Sequence, residues 1–185
     1  MFLRQIKNKF FIFKKNKRCK IFISDQNYSR IPFDKYYKTF YFDRNCINLY
    51  YTLSTFIEFF LSEKKLNLKD SYISAIIKSV KPKIVISNEI SERGFRIKEM
   101  FPKVKLIIYQ LGHYFPISQK VFVKNLERKK CDYFLVFNRE IKKILHKMKT
   151  KFLITGSIKN NYRTKKNSKK IYDLMFISEF RKLDP

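Results

Sequence analysis

The chain has 185 residues, 45% of them hydrophobic with 20 Phe and 12 Tyr, which is enough to fill one sizeable core. Its formal net charge of +27 invites a nucleic-acid interpretation, because Lys and Arg release condensed counterions from phosphate chains. Lys, Asn, Ile, Phe and Tyr, however, make up more than half of the residues, and this is the profile of a strongly AT-biased coding sequence. We therefore expect mostly solvated surface charge, with an anionic partner as the alternative, and we do not expect nucleic acid.

Cys19, Cys46 and Cys131 are far apart and form no CxxC pair. This spacing argues against a disulfide framework or a zinc site and indicates a reducing compartment. No apolar run approaches the roughly 20 residues that span a bilayer. The first 18 residues also lack a secretory cleavage pattern. The sequence thus predicts a cytoplasmic protein that lies at most peripherally on the inner face of the membrane.

The basic amino-terminal arm, residues 1–19, has two interpretations. Its apolar residues recur at helical spacing among lysines, which suits a helix lying on an anionic membrane face. These residues are Leu3, Ile6, Phe10 and Phe13. The alternative, which we favour, is an ordinary basic arm or a first strand.

Short apolar runs alternate with helical periodicities along the rest of the chain. The predicted strands are 20–25, 38–43, 83–89, 105–113, 132–138, 152–157 and 171–180. The predicted helices are 47–61, 69–80, 91–101, 116–128 and 139–149. The helix at 69–80 ends before Pro82, which is expected to restrict Lys81 to extended geometry.

Strands that alternate with helices imply parallel pairing, because a parallel neighbour is reached only through a crossover. The predicted fold class is therefore α/β, with a Rossmann-like parallel sheet and flanking helices over residues 20–162. The polar segment 163–170 is a predicted linker. Residues 171–185 are expected to carry either an added edge strand or the first strand of an incomplete second domain.

Polar residues and glycines follow the predicted strands, at the edge where parallel sheets bind their ligands. We call this edge the carboxyl rim. Its predicted members are Glu89, Gln110, Gly112, His113, Asn138, Gly156 and Ser157. The sequence lacks the phosphate-binding loops GxGxxG and GxxxxGK[ST], the GxSxG elbow, and the metal motifs HExxH and DxD. The rim is therefore the predicted functional site, and no metal is expected in it.

Each candidate side chain of the rim has a functional and a structural interpretation. Glu89 is a candidate general base or hydroxyl acceptor, or else a helix cap or an ion-pair partner of Arg93. His113 is a candidate base or phosphate ligand, or else a surface histidine. Gln110 would donate to a sugar or a phosphate, or cap its strand. The Gly156–Ser157 turn would cradle a phosphate with its N–H groups, or simply join a strand to a polar segment.

Six segments of the chain carry a family resemblance. They are YFDRNCIN (41–48), KPKIVISNE (81–89), IIYQLGHYF (107–115), CDYFLVFN (131–138), ITGSIKNN (154–161) and MFISEFR (175–181). In this order they resemble the amino-terminal half of bacterial surface-carbohydrate biosynthesis proteins. These proteins are glycosyltransferase-like, with the GT-B arrangement of two Rossmann-like domains that face each other across a cleft.

The resemblance implies glycosyl transfer from a nucleotide-sugar to a glycan or lipid-linked glycan acceptor in surface polysaccharide or lipopolysaccharide assembly. For this reaction Glu89 or His113, which converge on the carboxyl rim, is the candidate catalytic base. The resemblance implies a substrate-binding set of Gln110, Gly112, Asn138, Gly156, Ser157 and Asn160, in which the family's Gln-x-Gly turn and Gly-Ser…Asn stretch are found. No resident cofactor is expected, and the nucleotide-sugar would be a substrate.

In GT-B enzymes the amino-terminal domain usually holds the acceptor and the carboxyl-terminal domain holds the donor. The resemblance therefore implies that a second domain or partner half completes the enzyme. The alternative, from the residues alone, is a basic module that binds nucleic acid or an anionic membrane surface without catalysis.

Overall fold

The computed structural model of the chain describes residues 10–24, 37–43, 45–61, 67–111 and 123–156. The strands among them are β1 Phe10–Ile12, β2 Ile21–Ile23, β3 Thr39–Tyr41, β4 Cys46–Asn48, β5 Ile84–Asn88, β6 Lys105–Tyr109, β7 Tyr133–Val136 and β8 Lys151–Ile154. The helices are α1 Leu49–Leu61, α2 Leu68–Val80, α3 Glu92–Met100 and α4 Arg139–Ile144. Residues 123–127 are also helical. The predicted linker 163–170 and strand 171–180 lie outside the described residues.

Six of these strands form one sheet in the order β3-β2-β5-β6-β7-β8. Every neighbouring pair is parallel. The register places Ile86 of β5 beside Ile23 of β2 and Ile107 of β6. The α/β class, the parallel sheet and the flanking helices are thereby confirmed, and the topology is consistent with a Rossmann-like fold.

A second, smaller sheet pairs β1 with β4 in parallel, with Phe10 opposite Cys46 and Ile12 opposite Asn48. The sequence did not predict β4, because its residues lie directly before α1 and the helical periodicity of 47–61 runs through them. Phe10 lies in a strand, so helical spacing does not describe this part of the arm. The small sheet brings residues 10–12 next to the beginning of α1.

Both faces of the large sheet carry buried side chains, as is usual for parallel strands, although most of the edge strand β8 is exposed. On one face Phe22, Val85 and Phe134 belong to a core that α2, α3 and α4 complete with side chains such as Ile76 and Ile141. On the other face a smaller cluster is formed by Ile21, Ile23, Ile86 and Tyr109. Alternate residues of β2 therefore enter different clusters, since successive strand side chains point to opposite faces.

Helix α1 turns its apolar stripe outward. Among the side chains of α1 that the structure describes, the buried ones are Tyr51 and Thr55. The stripe that makes the helix amphipathic in sequence is exposed, and it consists of Leu49, Leu53, Phe56, Ile57 and Phe60. The periodicity thus identified the helix but did not show which way it faces. Among the described helices, none is long and apolar enough to cross a bilayer.

Lys81 corrects one expectation. Instead of the extended geometry that Pro82 favours, Lys81 ends α2 in the left-handed region with φ 46° and ψ 56°. Its N–H donates to the Ile77 carbonyl, which satisfies one of the free acceptors at the helix end. Glycine is the usual residue at such a cap, so a lysine side chain is held here at the expense of some backbone strain.

Lysines stand at the amino ends of five strands of the large sheet, an edge that we call the amino edge. They are Lys20, Lys38, Lys83, Lys105 and Lys151. The remaining strand, β7, is preceded by Asp132. This carboxylate accepts hydrogen bonds from Lys98 Nζ at 2.8 Å and from Leu106 N at 2.7 Å. Asp132 thereby ties α3 and β6 to the beginning of β7.

The Asp132 contacts predict a pH dependence of stability. Partial burial would raise the pKa of this carboxyl, but its hydrogen bonds from Lys98 and Leu106 outweigh burial and hold the pKa below its usual 3.8. Because the folded pKa is lowered, the stabilisation is present above pH 3.8 and is lost as the pH falls through the folded value. We expect Asp132→Asn to flatten this acid limb in urea unfolding measured from pH 6 to pH 2. An unchanged acid limb would contradict this role.

The close approach of α3 to β5 generates a second stability prediction. A Cβ built on Gly94 would lie 2.4 Å from Ser87 Cβ and 2.6 Å from Ser87 Oγ, and Ser87 is fixed in the middle of a buried sheet. We expect Gly94→Ala to lower the free energy of unfolding by about 1–3 kcal/mol. The control is Arg96→Ala on the exposed side of α3, for which we expect a change below about 0.5 kcal/mol in the same urea titration.

Candidate functional site

The carboxyl rim is a real edge of the molecule, because all six strands of the large sheet run in the same direction. Of its predicted members, the structure places Glu89 after β5, Gln110 after β6, Asn138 after β7 and Gly156 after β8. The other predicted residues lie outside the described part of the chain; they are Gly112, His113, Ser157 and Asn160. The described members share one edge, and their contacts show what each side chain does there.

Glu89 is a buried carboxylate, with 2% of its surface exposed. Its Oε1 accepts a hydrogen bond from the Leu111 N–H at 2.8 Å, and its own N–H donates to the Tyr109 carbonyl at 3.2 Å. Both contacts cross from the end of β5 to the end of β6. Glu89 therefore holds the backbone that leads from Gln110 toward His113.

Gln110 makes the equivalent contact one strand further along. It is 2% exposed, and its Oε1 accepts from the Phe137 N–H at 2.9 Å while its N–H donates to the Leu135 carbonyl at 3.0 Å. Glu89 and Gln110 thus form a chain of side-chain acceptors, each satisfying a backbone N–H just beyond the neighbouring strand. Through its Oε1, Gln110 therefore caps the end of its strand, which is the structural one of its two interpretations.

Two asparagines of the rim organise the turns that lead into helices. Asn88 Oδ1 accepts from the N–H groups of Ile90 at 3.0 Å and Ser91 at 2.7 Å, which closes the turn before α3. Asn138 Oδ1 accepts from Ile141 N at 3.1 Å and is the N-cap of α4. These side-chain oxygens fix the directions in which α3 and α4 leave the rim.

Gly156 has a positive φ of 66°, a conformation that favours glycine. A Cβ built there would meet no atom of the described residues within 4 Å. Within the described part of the chain, the end of β8 therefore has room for a ligand.

The strand order reverses between β2 and β5, since the chain adds β3 on one side of β2 and then β5 on the other. Ligands of open parallel sheets bind at such a switch point. Here Ser24 Oγ donates to Ser87 Oγ at 2.8 Å. Above them Arg93 Nη1 donates to the Ser24 carbonyl at 2.7 Å, and the Arg93 guanidinium lies 4.3 Å from the centre of the Phe42 ring.

We call Ser24, Phe42, Ser87 and Arg93 the switch-point cluster. It holds a half-buried cation in one orientation at the ends of β2 and β5, next to the amino terminus of α3. The N-cap of α3, Ser91, makes no side-chain capping bond to the helix. A guanidinium beside a helix amino terminus favours an anionic group of a ligand.

The sequence analysis missed the switch-point cluster as a site. Arg93 appeared there only as an ion-pair partner of Glu89, and Ser24 and Ser87 lay inside apolar runs. The available signal was an arginine in the first turn of the helix that follows a strand. It becomes informative only when β5 is known to pair with β2.

Cysteine and metal chemistry find no support among the described residues. Burial raises the pKa of the Cys19 thiol to about 11, with a backbone contact to Phe40 opposing it. Burial likewise raises the pKa of Cys131 to about 11 against a lowering hydrogen bond from Thr150. Both thiols are therefore protonated at neutral pH and are poor nucleophiles. No group of three or more His, Cys, Asp or Glu residues that would hold a metal ion occurs in the described ranges.

Comparison with family models, with curated proteins and with solved structures gives no match to this chain.

The Glu89–Leu111 contact can be tested with a matched pair of variants. Glu89→Leu removes the acceptor, whereas Glu89→Gln keeps an oxygen at the same position. Loss of a buried acceptor costs about 1–3 kcal/mol, so we expect the Leu111 amide to exchange with deuterium about tenfold faster or more in Glu89→Leu. In Glu89→Gln its exchange should stay near the wild-type rate, and equal rates in the two variants would contradict the contact.

Proposed function

We propose that this chain forms the amino-terminal part of a GT-B-type glycosyltransferase of bacterial surface-carbohydrate biosynthesis. In the complete enzyme a sugar passes from a nucleotide-sugar to a glycan acceptor. The observation that carries the proposal is the switch-point cluster, a fixed cation at the carboxyl edge of a parallel sheet. The segment resemblance in the sequence adds the class of reaction, since the fold alone hosts many chemistries.

The reaction requires few groups. The acceptor hydroxyl attacks the anomeric carbon, the bond between that carbon and the phosphate oxygen breaks, and the nucleotide leaves with the electron pair. The hydroxyl proton passes to a general base. Electrostatic stabilisation of the phosphate and correct placement of the hydroxyl supply most of the rate enhancement.

The geometry divides the two candidate bases. A general base must come within hydrogen-bonding reach of the hydroxyl, and the Glu89 carboxylate is 2% exposed with Oε1 bound to Leu111 N. We therefore assign Glu89 as a positioning residue for the backbone at Gln110 and Leu111, and we keep His113 as the candidate base. In this assignment Glu89 acts through the backbone that carries His113.

The other groups of the rim either face the ligand or shape the edge around it. Arg93, held by Ser24 and stacked on Phe42, presents a planar guanidinium suited to a phosphate or carboxylate. Among the described residues, the backbone at Gly156 borders open space at the opposite end of the rim. Gln110 and Asn138 shape this edge through the bonds that they make to Phe137 and Ile141.

The proposal predicts where ligands bind. In ¹⁵N-labelled full-length chain, we expect oligosaccharides of bacterial surface polysaccharides, or nucleotide-sugars, to perturb the amides of Ser24, Ile90 and Leu111. The amides of Lys20 and Lys83 at the amino edge should not shift. Arg93→Gln should weaken binding about tenfold or more, because hydrogen bonds to charged groups contribute about 1.5–3 kcal/mol.

Arg96→Gln, which lies on the exposed side of the same helix, is the matched control. The proposal fails if no oligosaccharide or nucleotide-sugar shifts the rim amides, or if both arginine variants bind as the wild type does. The nucleic-acid alternative gives a different result: an oligonucleotide would bind with an affinity that falls steeply with salt.

A further inference from the structure

The outward stripe of α1 is an apolar surface without a described partner element. Leu53 is 71% exposed and Phe60 is 76% exposed, and both lie on the same side of the helix. The inner side of α1 is attached instead by hydroxyl groups. Tyr51 Oη donates to Ser79 Oγ at 3.2 Å and accepts from Asn16 N at 2.9 Å. The fold therefore buries the more polar side of this helix and exposes the more apolar one.

The exposed apolar surface of α1 continues to Phe13 through the ring of Tyr50. Phe13, which directly follows β1, is 78% exposed, and its ring meets the Tyr50 ring edge-on with centroids 5.9 Å apart. We call the combined surface the outer apolar face. It consists of Phe13, Leu49, Leu53, Phe56, Ile57 and Phe60, all of them exposed. Large exposed apolar patches mark interaction sites in folded proteins.

A basin of cations lies beside Asn16 and Ser79, the residues that bond the Tyr51 hydroxyl, and the chain enters it two residues after Phe13. A cavity of about 530 Å³ is lined by Lys15, Lys17, Arg18, Lys78 and Lys81, and none of its lining residues is a carboxylate. We call it the basic basin. The left-handed cap at the end of α2 places the Lys81 side chain in it.

The outer apolar face and the basic basin are held together by a buried side chain. Asn48, the last residue of β4, donates from Nδ2 to the Lys14 carbonyl at 2.7 Å, and its Oδ1 accepts from Lys14 N and Tyr50 N. Lys14 lies between Phe13 and the cations of the basin. Asn48 thus anchors the segment that joins the aromatic and the basic parts of the surface.

We propose that the outer apolar face and the basic basin together dock the protein on an anionic lipid bilayer. Aromatic and aliphatic side chains would enter the boundary between headgroups and acyl chains, and the basin would hold lipid phosphates. A second copy of the chain fits less well, because a symmetric contact would bring two basic basins together. A soluble polyanion would leave the apolar face in water. This inference does not depend on the glycosyltransferase assignment.

The chain contains no Trp, which allows a direct test with a single reporter. In Phe60→Trp full-length protein, emission should shift to shorter wavelength on addition of vesicles that mix phosphatidylglycerol with phosphatidylcholine. Vesicles of phosphatidylcholine alone should give a much smaller shift. Ile90→Trp, at another exposed apolar position, should show no shift with either vesicle.

Three double variants separate apolar insertion from general charge attraction. Leu53→Gln with Phe60→Gln should reduce co-sedimentation with the anionic vesicles at least about tenfold. Lys15→Glu with Arg18→Glu should do the same, whereas Lys142→Glu with Lys143→Glu on α4 makes the same change in net charge and should leave binding within about twofold. Circular dichroism of each variant checks that the fold is retained.

Three outcomes would overturn the proposal. The first is a lack of binding to anionic vesicles by the wild type. The second is an equal loss of binding in the two charge-reversal pairs, which would indicate attraction without a defined surface. The third is a wild-type dimer, detected by light scattering, that the Leu53 and Phe60 substitutions dissociate, which would make a second copy the occupant.

Discussion

Strand β2 pairs with β3 on one side and with β5 on the other, and these two pairings determine where every other strand of the large sheet can lie. Both pairings are parallel, so the chain returns to the amino edge before each new strand begins. The carboxyl ends of all six strands therefore lie along one edge of the large sheet. The chain adds β3 on one side of β2 and β5 on the other, and Ser24 and Ser87 lie where the order changes direction. The crevice that results is where Arg93 is held.

The rim owes its order to hydrogen bonds that run sideways along the edge. Glu89 reaches the backbone after β6, and Gln110 reaches the backbone after β7. Such contacts leave less freedom to the loops than strand pairing alone would. For the proposed transfer, the groups that face the acceptor are therefore already in position before the ligand binds. Binding energy is then not needed to order these groups, so it can stabilise the transition state.

The sequence predicted the strands of the large sheet well, because short runs rich in Ile, Val, Phe and Tyr have few other stable arrangements. It also predicted which polar residues follow them, and therefore the described part of the rim, although the predicted strands 105–113, 132–138 and 152–157 extend beyond the ends of β6, β7 and β8. The order of the strands is a different matter, since nothing local decides whether β5 joins β2 or β3. The switch-point cluster depends on that order and was missed. The facing of α1 was likewise undetermined, because helical periodicity is the same whether the apolar stripe points inward or outward.

The attachment of α1 through Tyr51 and Thr55 has a thermodynamic consequence. Unfolding usually exposes apolar area to water, and this gives the large positive heat-capacity change of about 12–15 cal/mol/K per residue. In this chain much of the apolar area of α1 is hydrated already in the native state. Its unfolding should therefore show a smaller heat-capacity change and a flatter stability curve than its composition suggests. A corresponding negative heat-capacity change would be measured when the exposed stripe of α1 is buried on binding.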